Sequence, residues 1–540
     1  MDWRFEHTYA SQVEGLYVNA HPIPVPDPGL VFVNDDLADE LSLDAARLRE
    51  PDALALFAGN AVPPTGHPLA QAYAGHQFGH FVPLLGDGRA HLLGELRDAH
   101  GTLRDVALKG SGRTPFSRSG DGRAALGPVL REALLGESMH ALGIPTTRAL
   151  AVVTSGQTIA RDRPLPGAIL TRVAASHLRI GTIELFRGRG APEDLSRLVD
   201  YARRRHFPQI DPNDPLAFLE AVASRVADLI AAWMSVGFVH GVMNTDNMAL
   251  SGETLDFGPC AFLDAYDPDA TFSSIDTAGR YRFGHQPAIA QWNLTRLAEC
   301  LLPLVPGDPE DAVAAASGIL DGWVDTFAAA HTRRFAAKLG LPGPSALPGA
   351  SGLGGSSGLP GASGLGRSSG LPGASDHRAE DANLVQSLLD LMQAESLDFT
   401  GTFRDLARDL RASATPAADL RASATPAADP RASATRAAGL RDAAPRSGPY
   451  AAWRARWLAR VGGADPRAIA AAMDAVNPAY IPRNHLVEEA LAAATDGDLA
   501  PFEVLLAAVR DPFNERAGLQ RHTLPAPSSF TQTYVTYCGT

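Results

Sequence analysis

The sequence predicts an α+β fold of two lobes, sheet-rich first and mostly helical second, continued by a helical C-terminal extension. Three observations predict it. Between about Pro63 and Ser155, short apolar runs alternate with Gly-rich turns at strand spacing. Beyond about residue 215, apolar residues recur at helical spacing instead. Two low-complexity repeats then interrupt the helical text without adding apolar surface.

In the first lobe, HLLGEL (91–96) and DVALKG (105–110) read as paired strands, because the intervening RDAHGTLR is polar and contains Gly101. GPVLREALLGESMHALG (127–143) reads as a helix: Pro128 suits its first position, Gly143 its C-terminal cap, and Pro145 blocks continuation. In the second lobe Val222, Val226, Leu229, Ile230, Trp233 and Val236 mark one helix face leading to HGVMNTDNMAL, and 286–304 and 318–340 read as further helices. LPGASGLGGSSG (347–358) returns at 359–370, and LRASATPAAD (410–419) returns at 420–429. Such residues bury too little apolar surface to offset their ordering entropy, so both repeats are expected to be flexible insertions. Helical text resumes at 383–392, 448–462 and 484–510. The expected division is 1–165 for the N-terminal region and sheet-rich lobe, and 166–340 for the helical lobe with catalytic and metal loops. It continues with 341–380 and 410–447 for the insertions, 381–409 for a helical segment between them, and 448–540 for the extension.

The totals exclude several classes. A formal net charge of -13 over 540 residues argues against a broad nucleic-acid surface, which must neutralise phosphates with clustered cations. No apolar run reaches the length of about 18 residues that a membrane span needs. Only Cys260, Cys300 and Cys538 occur, which is no disulfide framework, and the N-terminus lacks a basic stretch followed by an apolar one. A cytoplasmic protein is expected. Of the 47 basic side chains only Lys109 and Lys338 are lysines. A Lys kept where Arg is the default invites a chemical explanation, since an ammonium and a guanidinium are not interchangeable.

Lys109 has one. Gly86 and Gly88 form a turn through which backbone amides can approach phosphates, and Val106-Ala107-Leu108-Lys109 nearly repeats the kinase V-A-I-K strand, although LGDGRA stops short of a full GxGxxG. A kinase lysine needs a glutamate from the next helix. Glu137 lies about 140° further around that helix than Glu132, so only one should face Lys109, and Glu132 is the choice because it lies among Val129, Ala133 and Leu134 close to the helix start. His240, Asn247 and Asp256-Phe257-Gly258 then follow in the order of a kinase catalytic loop and metal motif, with the His-to-Asn spacing intact. The fold expected is therefore protein-kinase-like. Asn247 and Asp256 supply hard oxygens suited to Mg²⁺ beside a triphosphate. The catalytic aspartate is missing, however, and Val242 stands there, which makes Asp246 the candidate general base. A nucleotide clamp with a rearranged base reads as a different transferase, as a kinase using Asp246, or as an ATP-binding pseudokinase scaffold.

These residues stand in longer strings that resemble the selenoprotein O family, kinase-fold proteins that act as protein adenylyltransferases. The strings are AQAYAGHQFGHFVPLLGDGRAHLLGE (70–95), ALKGSGRTPFSRSGDGRAALGPVLRE (107–132), HGVMNTDNM (240–248), LDFGPCAFLDAYDP (255–268), QPAIAQWNLTRLAE (286–299) and NPAYIPRNHLVEEAL (477–491). The resemblance implies an inverted ATP, its α-phosphate presented to a Ser, Thr or Tyr hydroxyl of a protein while pyrophosphate leaves. It implies nucleotide contacts at Gly86, Gly88, Arg89, Lys109, Asp121, Gly122, Arg172, Arg179 and Asp256, with Mg²⁺ or Mn²⁺ on Asn247 and Asp256. Asp246 would be the proton acceptor and Glu132 the partner of Lys109. ATP and protein substrates are the partners implied, with neither nucleic acid nor membrane. Cys538 sits where eukaryotic members have selenocysteine, so the resemblance also raises a redox-regulatory disulfide from Cys538 to Cys260 or Cys300.

Overall fold

A computed structural model describes residues 3–189, 191–342, 374–413, 448–463 and 465–537. The first repeat, nearly all of the second, and Cys538 lie outside the described residues. The chain folds as a mixed α+β protein around an antiparallel sheet.

The strands are β1 (Tyr17–Asn19), β2 (Gly29–Val33), β3 (Leu69–Gln71), β4 (Gly75–Gln77), β5 (His80–Val82), β6 (Ala90–Arg97), β7 (Leu103–Lys109), β8 (Ala124–Ala125), β9 (Arg148–Ala160) and β10 (Pro164–Ala174). The main sheet runs β1-β3-β6-β7-β10-β9-β2, with β8 beside β10, while β4 and β5 form a separate hairpin. The pair read at 91–96 and 105–110 is β6 and β7, connected through Gly101 at φ 78. Side chains alternate across β7: Val106 and Leu108 enter a core with Leu48, Phe57 and Leu150, and Ala107 faces the opposite side with Lys109. Strand β10 carries the sheet past residue 165 to Ala174, because the turn at 161–163 returns it directly alongside β9.

Helix α1 (Leu126–Ala141) starts before Pro128, which is its third residue rather than its first, because β8 ends at Ala125 and enters the helix directly. Its end is as expected, with Gly143 at φ 72. The helix is buried nearly all round, with charged Arg131, Glu132 and Glu137 enclosed along with its apolar residues. Val129, Leu130, Ala133 and Leu134 pack on Val152 and Leu170 of the sheet, in one core with Leu486, Leu491, Phe502 and Leu506 from near the C-terminus.

The rest is helical: α2 (Ile180–Arg189), α3 (Pro215–Val236), α4 (Gln286–Leu301), α5 (Pro309–Lys338), α6 (Ala374–Ala394), α7 (Phe399–Ser413), α8 (Gly448–Val461), α9 (Asn484–Thr495) and α10 (Ala500–Arg510). The stripe Val222, Val226, Leu229, Ile230, Trp233 and Val236 is buried against Leu294, Leu297 and Trp323. Helix α5 begins at Pro309, before the expected 318, where the Asp308 side chain accepts from the Glu310 amide at 2.8 Å. The text at 484–510 is two helices, α9 and α10, broken where Gly497 takes φ 96. Among the described residues no helix is long and apolar enough to cross a membrane.

Candidate active site

Helix α3 ends at Gly237 with φ 75, where an added Cβ would fall 2.8 Å from the Phe399 ring. Strand β11 (Phe238–Val239) follows and pairs antiparallel with β12 (Ala261–Phe262), so residues 240–260 form one loop clamped at both ends. Within it Thr245–Asn247 make a 3₁₀ turn that presents Asp246. Asp256 has φ 70, a left-handed conformation that a non-glycine residue keeps only when its surroundings enforce it. Buried Phe257, packed edge-on to Phe238, supplies part of that constraint.

The loop faces the sheet across a cleft of about 470 Å³. Lys109, at the end of β7, bonds Glu132 of α1 at 2.5 Å and also contacts Asp256. Glu137 is turned away and is held instead by Arg148 at 2.9 Å and Arg510 at 2.9 Å. Arg172 lies opposite Ala107 in the β7–β10 register, and therefore on the same face as Lys109 two residues on. Its guanidinium is 3.4 Å from Glu132 and 3.9 Å from Asp256. Enclosure by protein disfavours charge on Asp256, but Lys109, Arg172 and Arg89 prevail and hold its carboxyl well below the usual carboxylate range. Asn247 Nδ2 donates to the Val242 carbonyl at 3.0 Å, which leaves Oδ1 as its available acceptor. His240 is buried at the cleft wall, tilted against Trp233 at 5.3 Å and bonded to the Leu255 carbonyl at 3.2 Å.

Asp246 occupies a different setting. Its Oδ1 is buried and makes no hydrogen bond to the protein, while Oδ2 accepts from Gln77 at 3.4 Å. Burial pushes its pKa up to about 6 against the opposing field of Arg179. The β4–β5 hairpin forms the wall beside it. There the His76 amide bonds Thr245 Oγ1 at 2.7 Å, the His76 ring pairs with Glu184 at 2.5 Å, and the Phe78 amide bonds Asn244 at 3.0 Å. Gly75 permits the approach, since a Cβ there would lie 2.6 Å from Asp246 Oδ1. Arg179 reaches the Asp246 carbonyl at 3.2 Å, stacks on Tyr73 at 4.1 Å, and keeps a buried Nη2 without a hydrogen bond to the protein.

The Gly-rich turn closes the other side. Gly86 at φ 144 lies where a Cβ would sit 2.4 Å from Phe116, and Gly122 at φ 70 where one would sit 2.2 Å from Gly112. Gly86, Gly88, Arg89, Lys109, Asp121, Gly122, Arg172, Arg179, Asp246, Asn247 and Asp256 all line this cleft, with Glu132 directly behind Lys109. Asp121 is bound to Arg161 at 2.8 Å, which lowers its pKa. Tyr73, Gln77, Asp87, Arg123, Arg161 and Asn244 also line the cleft and were not singled out by the sequence, because each is an ordinary polar residue in a turn or short strand. The buried thiols of Cys260 and Cys300 are free; their suggested partner, Cys538, lies outside the described residues.

The family model described as "Protein adenylyltransferase SelO" matches residues 1–510. A protein from Cereibacter sphaeroides named "Protein nucleotidyltransferase YdiU" is 48% identical over 545 residues, covering 100% of both chains. Proteins of the same name from Mycobacterium sp. and Chromobacterium violaceum are each 48% identical. They cover 98% and 96% of this chain, and 98% of their own lengths.

Proposed function

The chain belongs to the SelO family of protein adenylyltransferases, and we propose that its cleft moves AMP from ATP to a Ser, Thr or Tyr hydroxyl of a protein, releasing pyrophosphate. The chain is a protein adenylyltransferase on that membership, and neither comparison favours the kinase or scaffold alternatives. One observation supports the finer reading most: residues 86–89, Lys109, Arg172, Arg179, Asp246, Asn247 and Asp256, far apart in sequence, line a single cleft in which cations and hard oxygen donors face each other. We also read the order strand-Lys109, helix-Glu132, catalytic turn and Asp256 as that of a kinase-like fold with two lobes. The free thiols fit a reducing, cytoplasmic setting.

The donor set fits Mg²⁺ or Mn²⁺: Asp256 is kept ionised by its cationic neighbours, and Asn247 offers Oδ1 because its amide nitrogen is engaged. A bound divalent ion would neutralise triphosphate oxygens there. Lys109, fixed by Glu132, holds phosphate oxygens as a compact charge. Arg172 and Arg179 offset charge that grows on the departing pyrophosphate, and Arg179 Nη2, which makes no hydrogen bond to the protein and lies 4.0 Å from Asp87, is suited to a phosphate oxygen. The acceptor oxygen bonds to the α-phosphorus as the bond from that phosphorus to the β-bridging oxygen breaks. The hydroxyl proton passes to Asp246, whose pKa of about 6 leaves it ionised at neutral pH yet basic enough to take it.

Intact mass of a protein acceptor after incubation with ATP, metal and this chain tests the reading. An added AMP is expected, absent with Asp256→Ala; an added phosphate alone would contradict it.

A further inference from the structure

Arg131 precedes Glu132 on α1 and is buried, at 8% exposure, yet none of its polar atoms reaches the nucleotide cleft's acids. Its Nη2 donates to the Cys260 carbonyl at 2.8 Å and to the Tyr534 hydroxyl at 3.0 Å, while Nη1 pairs with Glu488 of α9 at 2.8 Å. Tyr534 in turn donates to Glu488 at 3.0 Å. Cys260 is four residues after Asp256, so the contacts close a ring: Asp256 to Lys109, Lys109 to Glu132, along α1 to Arg131, and from Arg131 to the far side of the metal loop. The C-terminal segment adds a second bond to the same loop, from Thr536 Oγ1 to the Pro259 carbonyl at 2.7 Å, and is itself held by the Phe272 carbonyl through the Thr536 amide at 2.8 Å. Two successive carbonyls of the metal loop are therefore gripped by residues outside it.

We propose that Arg131 is a positioning residue for the metal loop, fixing Asp256 relative to the helix that carries Glu132, and that Tyr534 and Glu488 hold Arg131 in that pose. The C-terminal segment thereby becomes part of the active-site framework. A left-handed Asp256 needs such external restraint, because its own backbone preference opposes the conformation. Arg suits the task and Lys does not: one planar fork serves a carbonyl, a phenol and a carboxylate at once. The inference rests on the reading of Asp256 as a metal ligand.

The test uses the full chain. Mn²⁺ binding is followed by electron paramagnetic resonance with a non-hydrolysable ATP analogue, beside kcat, KM for ATP and thermal melting. Arg131→Ala is expected to weaken Mn²⁺ about tenfold or more, the usual effect of losing a group that orients a metal ligand. It should lower kcat while KM for ATP stays within about threefold, because the phosphate-binding cations are untouched. Arg131→Lys and Tyr534→Phe should show the same split to a smaller degree, and Tyr534→Phe, which removes one hydroxyl, carries the test if Arg131→Ala does not fold. Wild-type Mn²⁺ affinity and kcat in folded Arg131→Lys and Tyr534→Phe would overturn the proposal. A wild-type chain that binds no Mn²⁺ with the analogue would overturn the metal assignment itself, and this inference with it.

Discussion

The two ends of the 240–260 loop present carboxylates to the same cleft in opposite electrostatic settings. Asp256 faces Lys109 and Arg172 and stays ionised against its enclosure, whereas Asp246 sits between the β4–β5 hairpin and α2, with burial dominant and its pKa up at about 6. Groups whose environments push their pKa values apart take different chemical tasks. An acid that does not protonate at working pH suits a cation, and one poised near neutrality suits a proton. On the proposed reading, the loop divides the labour that kinases give to a catalytic aspartate and a metal aspartate, with Asp246 taking the first task because Val242 stands at the usual position.

Substitutions can break this contrast, and the largest effect should come from the charged end. Asp256→Ala is expected to cut AMP transfer about 10³-fold, the upper range for losing one preorganised electrostatic contact, with near-native circular dichroism. Lys109→Ala should cost about 10²-fold in kcat/KM, since it removes a phosphate contact and leaves Glu132 facing Arg172 alone. Asp246→Asn should cost about tenfold, less than a general base usually contributes, because pyrophosphate departure carries most of the barrier. Its pH profile is the sharper readout. Wild-type kcat should rise as pH passes about 6 and then level, while Asp246→Asn should lose that limb.

The effect of the same substitution on stability has the opposite sign. Asp246 has a folded pKa above its unfolded value, so folding favours the protonated form; the associated stability is present below the unfolded pKa and lost as pH rises through about 6. At pH 7 Asp246→Asn should therefore stabilise the chain by about 2 kcal/mol, reading one pKa unit as about 1.4 kcal/mol and discounting for the lost Gln77 contact. Chemical denaturation at pH 5 and pH 7 checks this, with the gain expected to shrink at the lower pH.

The convergence of the candidate residues on one cleft was legible in part. Lys109 stood out through lysine scarcity, Glu132 through its apolar neighbours near the helix start, and Asn247 and Asp256 through loop spacing. The paired strands around Gly101 and the buried stripe from Val222 to Val236 followed from periodicity alone. Long-range partners were not legible. The β4–β5 hairpin that walls Asp246 consists of three-residue strands, too short for an alternation to show, and its bonds to Asn244 and Thr245 cross more than half the N-terminal sheet region in sequence. Likewise α9 and α10 read as amphipathic helices, but nothing local says that their apolar faces cover the helix bearing Glu132. Arg131 was invisible for the same reason: its three partners come from residues 260, 488 and 534.

Which phosphorus of ATP reaches the protein decides the central claim. With ATP labelled at the α or the γ position in parallel, acceptor protein should take up label only from the α position, in a metal-dependent manner lost with Asp256→Ala. Label arriving from the γ position alone would contradict the account.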